Sequence, residues 1–177
     1  IIMKKLISLA VLMAFAGAAG SVTAAGNAAA GKNKSAVCAG CHGLDGNSAA
    51  PNFPKLAGQD AQYTAKQLAD FKSGARKDPV MAGMAAALSR KDMDDIGAYY
   101  ASQKRSVGTS SASADALKKA ERLYRGGDAK NGIPACMSCH GPAGAGIPPR
   151  FPAVSGQHAA YSQKQLLDFK NGTRSND

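Results

Sequence analysis

Two short stretches carry residue types able to do chemistry together: Cys38-Ala39-Gly40-Cys41-His42 and Cys136-Met137-Ser138-Cys139-His140. Two thiols three positions apart, followed at once by an imidazole, can anchor a flat prosthetic group along one edge and ligate its metal. The pattern reads as a covalent attachment site for c-type haem. The thiols add to two vinyl groups of one haem, and the histidine that follows lies beneath the ring with a nitrogen aimed at the iron. All four cysteines and two of the three histidines are used in this way, so no cysteine remains to pair as a disulfide. A redox dithiol and half a zinc site are the competing chemistries. Two copies that both run on into histidine, behind an export signal, argue against both.

The motifs open a longer duplication at an offset of 98 residues. Without a gap, 20 of the 39 positions from Cys38 to Arg76 are identical in the stretch from Cys136 to Arg174. Matches include Pro51 with Pro149, Phe53-Pro54 with Phe151-Pro152, Gly58-Gln59 with Gly156-Gln157, Tyr63 with Tyr161 and Arg76 with Arg174. The chain is therefore a tandem pair of domains.

The elements that must position the motifs follow from caps and periodicity. Residues 27–37 suit a short helix running into the first motif, and the Gly/Asn/Pro-rich stretch 43–54 is a loop. Asp60 is placed to cap a helix to Ser73 that Gly74 ends, with Leu68 and Phe71 in the core and Tyr63 at the edge of that face. Met81 and Met84 fall in an expected loop after Pro79. Ser89 opens an amphipathic helix with Asp92 at its third position, Leu88 and Met93 forming a hydrophobic staple, and Met93, Ile96 and Tyr100 on its buried stripe. The Ser/Gly/Ala-rich segment 106–114 is the expected linker. A helix from about Asp115 to Tyr124, ended by Gly126-Gly127, starts the second half, where the pattern repeats.

The expected organisation is thus residues 1–24 as a signal peptide, 25–105 as a first domain and 115–177 as a second. Lys4 and Lys5 form a positive n-region, Leu6 to Ala16 an apolar h-region, and Val22-Thr23-Ala24 a cleavage site before Ala25. Export agrees with the haem reading, since c-type haem is attached outside the bacterial cytoplasm. The chain has 22 Lys/Arg against 12 Asp/Glu, a formal net charge of +10. Those charges are scattered and accompany no recognition motif, so nucleic acid is not an expected partner. A basic surface favours acidic redox proteins and peripheral contact with anionic lipid. Halves this small make marginal cores, and a buried haem would supply the missing apolar volume.

A haem iron held by histidine on one side retains a sixth position, where methionine raises the reduction potential and closes the site to ligand chemistry. Met81 and Met84 are the candidates in the first half, with Met81 preferred and Met93 assigned to the core.

With these motifs, the run Pro51-Asn52-Phe53-Pro54-Lys55-Leu56-Ala57-Gly58-Gln59 and the segment Val80-Met81-Ala82-Gly83-Met84, the chain from Ala25 to Asp177 resembles the di-haem cytochrome c4 family. The resemblance implies an all-α fold of two tandem class I cytochrome c domains, each covalently binding one haem. Carried over, Cys38, Cys41, Cys136 and Cys139 attach the haems, His42 and His140 are proximal ligands, and Met81 is the distal ligand of the first. Pro51 and Pro149 resemble the proline whose carbonyl accepts a hydrogen bond from the proximal histidine. The family's haems face one another across the domain interface. The implied function is periplasmic electron transfer between a quinol-oxidising complex and a terminal oxidase, without enzymatic activity.

One departure stands out. The counterpart of Met81 falls at position 179, beyond Asp177, so the family's second distal methionine and closing helix have no match in this sequence. The expectation is a C-terminally truncated second domain. An open second haem would instead suit a peroxidase-like enzyme, and an uncleaved signal segment a tethered subunit of a larger complex. His158, aligned with Asp60, is expected at the surface.

Overall fold

The computed structural model describes residues 26–177, so the expected signal peptide lies outside the described residues. Eight α-helices and two 3-10 turns make up those residues, with no β-strand beyond two isolated bridges. None of the described helices is long and apolar enough to cross a membrane.

Capping chemistry sets the helix boundaries. Helix α1 (Ala28–Lys34) starts at Asn27, whose side chain accepts from Ala30 N, and ends on Lys32 and Lys34, which suit its negative pole. A 3-10 turn (Ser35–Cys38) then leads into α2 (Ala39–His42), the one-turn helix of the first motif. Helix α3 (Ala61–Ser73) is capped by Asp60 through Tyr63 N at 2.9 Å and ends at Gly74, in the left-handed conformation with φ 81°. Helix α5 (Arg90–Ala101) carries the expected capping box: Ser89 and Asp92 bond reciprocally to each other's backbone.

The first-half core forms where α5 crosses α3 and α1. Ala65, Leu68, Met93, Ile96, Tyr99 and Tyr100 form one buried cluster, against which Leu88 and Met81 pack. Each large side chain so buried contributes roughly 1.5–3 kcal/mol before entropy is counted. The crossing needs a glycine, because a Cβ at Gly31 would lie 1.9 Å from the Asp95 carbonyl oxygen. Asp95 also accepts from Asn27 N at 2.7 Å and pairs with Lys91, tying α1 to α5.

The segment holding Met81 is a helix, not the expected loop. Helix α4 (Pro79–Ala86) begins at Asp78, whose side chain accepts from Met81 N at 2.9 Å, with Pro79 at the first helical position. An N-cap aspartate followed by proline at the first helical position marks a helix start.

In the second half, α6 (Ala114–Gly126) starts at Ser113 and stops at Gly127, and α7 (Met137–His140) is the second motif. Helix α8 (Ala159–Lys170) repeats α3 with far less cover. Leu166 is 71% and Phe169 41% exposed, whereas Leu68 and Phe71 are each 8% exposed. The difference traces to α4 and α5, both of which lie against α3; among the described residues no helix packs on α8 in the same way.

The halves are locked together by a pseudo-twofold network. Arg76 donates to Gln67 of its own half at 2.8 Å and to Tyr161 of the other at 2.8 Å. Arg174 donates to Gln165 at 2.7 Å and to Tyr63 at 2.9 Å. Tyr63 is therefore buried against the second domain rather than lying at the edge of a helix face.

Candidate haem sites

Both motifs place their histidine at the end of a one-turn helix, where a glycine at positive φ (Gly43, 80°; Gly141, 76°) turns the chain back across the site. The returning loop supplies the partner that orients each ring. His42 Nδ1 lies 2.8 Å from the Pro54 carbonyl, and His140 Nδ1 lies 2.8 Å from the Pro152 carbonyl. A carbonyl can only accept, so Nδ1 carries the hydrogen and Nε2 is left with a lone pair for a metal.

These acceptors correct the carried-over assignment of Pro51 and Pro149. Both of those prolines are exposed. Pro51 sits in the turn closed by Phe53 N donating to Ala50 O, and Pro149 at the tip of a hairpin closed by Ile147 and Phe151. The chain comes back beneath the imidazole only after those turns, three residues later in each half. The duplication contained the signal, since Pro54 and Pro152 match as well as Pro51 and Pro149 do.

His42 is 6% exposed, and burial lowers its pKa, partly offset by its bond to Pro54. A neutral imidazole is the form that ligates iron. Burial also pushes the Cys38 thiol up. None of the four cysteines pairs in a disulfide, so all four remain for attachment to vinyl groups.

One cavity of about 1570 Å³ is lined by Cys38, Cys41, His42, Cys136 and His140 together. Pockets for a single small molecule run to roughly 300–1,000 Å³, so this space suits two large groups better than one. Met81 and Met84 line it too. Met81 is half-buried against the core, while Met84 is 40% exposed, which supports Met81 as the side chain held in place. The residues fit two haems: paired thiols at each edge, an oriented imidazole beneath each, and a methionine at the first.

Similarity to known proteins agrees with this geometry. The sequence model of the Cytochrome c family matches residues 24–104 and 117–177, one match for each half. Cytochrome c4 of Pseudomonas aeruginosa is 51% identical over 98% of this chain and 85% of its own length. The chain belongs to the cytochrome c4 family. Cytochrome c4 is a di-haem electron-transfer protein, and this chain is accordingly a c-type cytochrome with two haems. The crystal structure of reduced recombinant cytochrome c4 from Pseudomonas stutzeri superposes with a TM-score of 0.81 at 52% identity, over 86% of this chain and 85% of that one. A thiosulfate dehydrogenase electron acceptor from Stutzerimonas stutzeri is 44% identical over 83% of this chain and 69% of its own length.

His158 was expected at the surface, yet it joins the two halves of the cytochrome. Its Nε2 lies 2.9 Å from Ser48 Oγ and 3.0 Å from the Ser48 carbonyl. Ser48 Oγ itself donates to Phe53 O at 2.6 Å, so the loop bearing Pro54 is braced from the second domain. Sequence alone offered no sign of this, because the contact spans 110 residues.

Proposed function

We propose that this cytochrome is a periplasmic electron carrier, not an enzyme, which accepts electrons from a quinol-oxidising complex and delivers them to a terminal oxidase. The observation carrying this reading is the single cavity reached by both His42 and His140, which supports two redox centres close enough to share electrons. When bound, each haem supplies one reversible ferric–ferrous couple. Cys38 with Cys41, and Cys136 with Cys139, would fasten them, His42 and His140 would ligate from the proximal side, and Met81 would close the first iron. From Ala25 onward, past the expected cleavage site, 20 Lys/Arg against 12 Asp/Glu give a formal charge of +8, which favours acidic docking surfaces on the partners and makes encounter rates fall with salt. It also favours peripheral contact with anionic membrane lipid.

The test is a reconstituted chain of reactions. Membranes bearing the quinol-oxidising complex should reduce the purified cytochrome, and membranes bearing the oxidase should reoxidise it with oxygen uptake. Turnover in neither direction would reject these partners. The likeness to thiosulfate dehydrogenase electron acceptors favours a second donor, a thiosulfate-oxidising enzyme. Reduction by that enzyme with thiosulfate, but not by quinol, would select it.

A further inference from the structure

The peptide that orients each proximal histidine is bonded at its other end by a glutamine of the opposite domain. The Pro54 carbonyl, which accepts from His42 Nδ1, belongs to the same peptide group as the Lys55 N–H. That N–H donates to Gln157 Oε1 at 2.9 Å, and Gln157 Nε2 donates back to the Lys55 carbonyl at 3.0 Å. The mirror arrangement holds in the other half. The Pro152 carbonyl accepts from His140 Nδ1, Ala153 N donates to Gln59 Oε1 at 2.9 Å, and Gln59 Nε2 donates to the Ala153 carbonyl at 3.1 Å. Gln59 matches Gln157 and Lys55 matches Ala153 at the repeat offset of 98, so the clasp is reciprocal.

A continuous hydrogen-bonded line therefore runs from the glutamine amide of one domain, through one peptide, to the imidazole of the other. Bonds in such a line polarise one another: a peptide whose N–H is donating has a more negative carbonyl oxygen. A stronger acceptor draws the Nδ1 hydrogen further and makes Nε2 a better donor to iron, which favours the ferric state. The two-point amide grip also fixes the peptide's rotation, and with it the plane of the ring.

We infer that Gln157 and Gln59 are positioning residues acting in trans: Gln157 sets the proximal bond, and so the reduction potential, of the haem at His42, and Gln59 does so for the haem at His140. Each potential thereby depends on the domains being docked. This rests on the di-haem carrier reading and adds to it a source of communication between the centres.

The experiment is a redox titration of the full di-haem protein, with proton NMR resolving the Nδ1–H of each proximal histidine. Gln157→Leu, which keeps the bulk and removes both bonds, should raise the potential of the His42 haem and shift its Nδ1–H resonance, leaving the His140 haem unmoved. Gln59→Leu should do the converse. Gln157→Glu retains an acceptor for Lys55 N–H and should hold the His42 haem at or below its original potential. A shift confined to the haem of the substituted half, or none at either, would overturn the inference. An equal rise with Leu and Glu would assign the effect to loosened docking and would overturn it too. A parent protein that binds no haem would instead fail the carrier reading itself.

Discussion

Arg174 donates from Nη2 to the hydroxyl of Tyr63 at 2.9 Å, joining the segment after α8 to α3 of the first domain. The guanidinium is only 7% exposed and bonds Gln165 and Asp177 as well. A buried cation needs its acceptors, because those lost to water on folding must be replaced. Tyr63→Phe should therefore weaken the protein by about 1.5–3 kcal/mol, the range for a hydrogen bond to a charged group. Denaturant unfolding of the haem-loaded protein measures this. An unchanged midpoint would mean that water replaces the hydroxyl.

Met81 is proposed as the sixth ligand of the first haem. Oxidised protein should then show the weak long-wavelength absorption of a methionine–iron bond. Met81→Ala should abolish that absorption, lower the potential of the first haem and open it to carbon monoxide, while Met84→Ala leaves all three in place. The reverse pattern would move the assignment to Met84.

Asp92 provides a pH dependence with a definite sign. The Ser89 backbone N–H, the Ser89 hydroxyl and Lys34 stabilise its carboxylate and hold its pKa at about 2, below the usual 3.8. A depressed folded-state pKa contributes stability that is present above the unfolded value and is lost as pH falls through the folded one. The thermal midpoint of Asp92→Asn should lie below that of the parent at about pH 5, and the gap should close as pH approaches 2. A gap constant over that window would remove the carboxylate's charge from the explanation.

Gly31 is required by the approach of α1 to α5. Gly31→Ala forces a Cβ onto the Asp95 carbonyl, 1.9 Å away, and should cost about 1–3 kcal/mol as an overpacked core does. Gly83→Ala in α4 meets nothing within 4 Å and should instead stabilise by about 0.5–1 kcal/mol through backbone entropy. Thermal unfolding of both variants separates packing from propensity.

Local chemistry determined what the sequence could state by itself. The two C-x-x-C-H motifs, the caps at Asp60 and Ser89 and the glycine stop at Gly74 each involve residues within a few positions of one another, so spacing alone specifies them. The duplication likewise revealed two equivalent halves without any coordinates. The tertiary structure decided what depends on where the chain returns. It moved the histidine acceptors from Pro51 and Pro149 to Pro54 and Pro152, because a turn intervenes whose exit direction no spacing rule specifies. It buried Tyr63 and drew His158 to Ser48, because the other domain lies there. Exposure of Leu166 against burial of Leu68 is the same lesson: matching leucines of two repeat-related helices differ because α5 covers only one of them. Periodicity shows which face of a helix is apolar, and only the packed chain shows what that face meets.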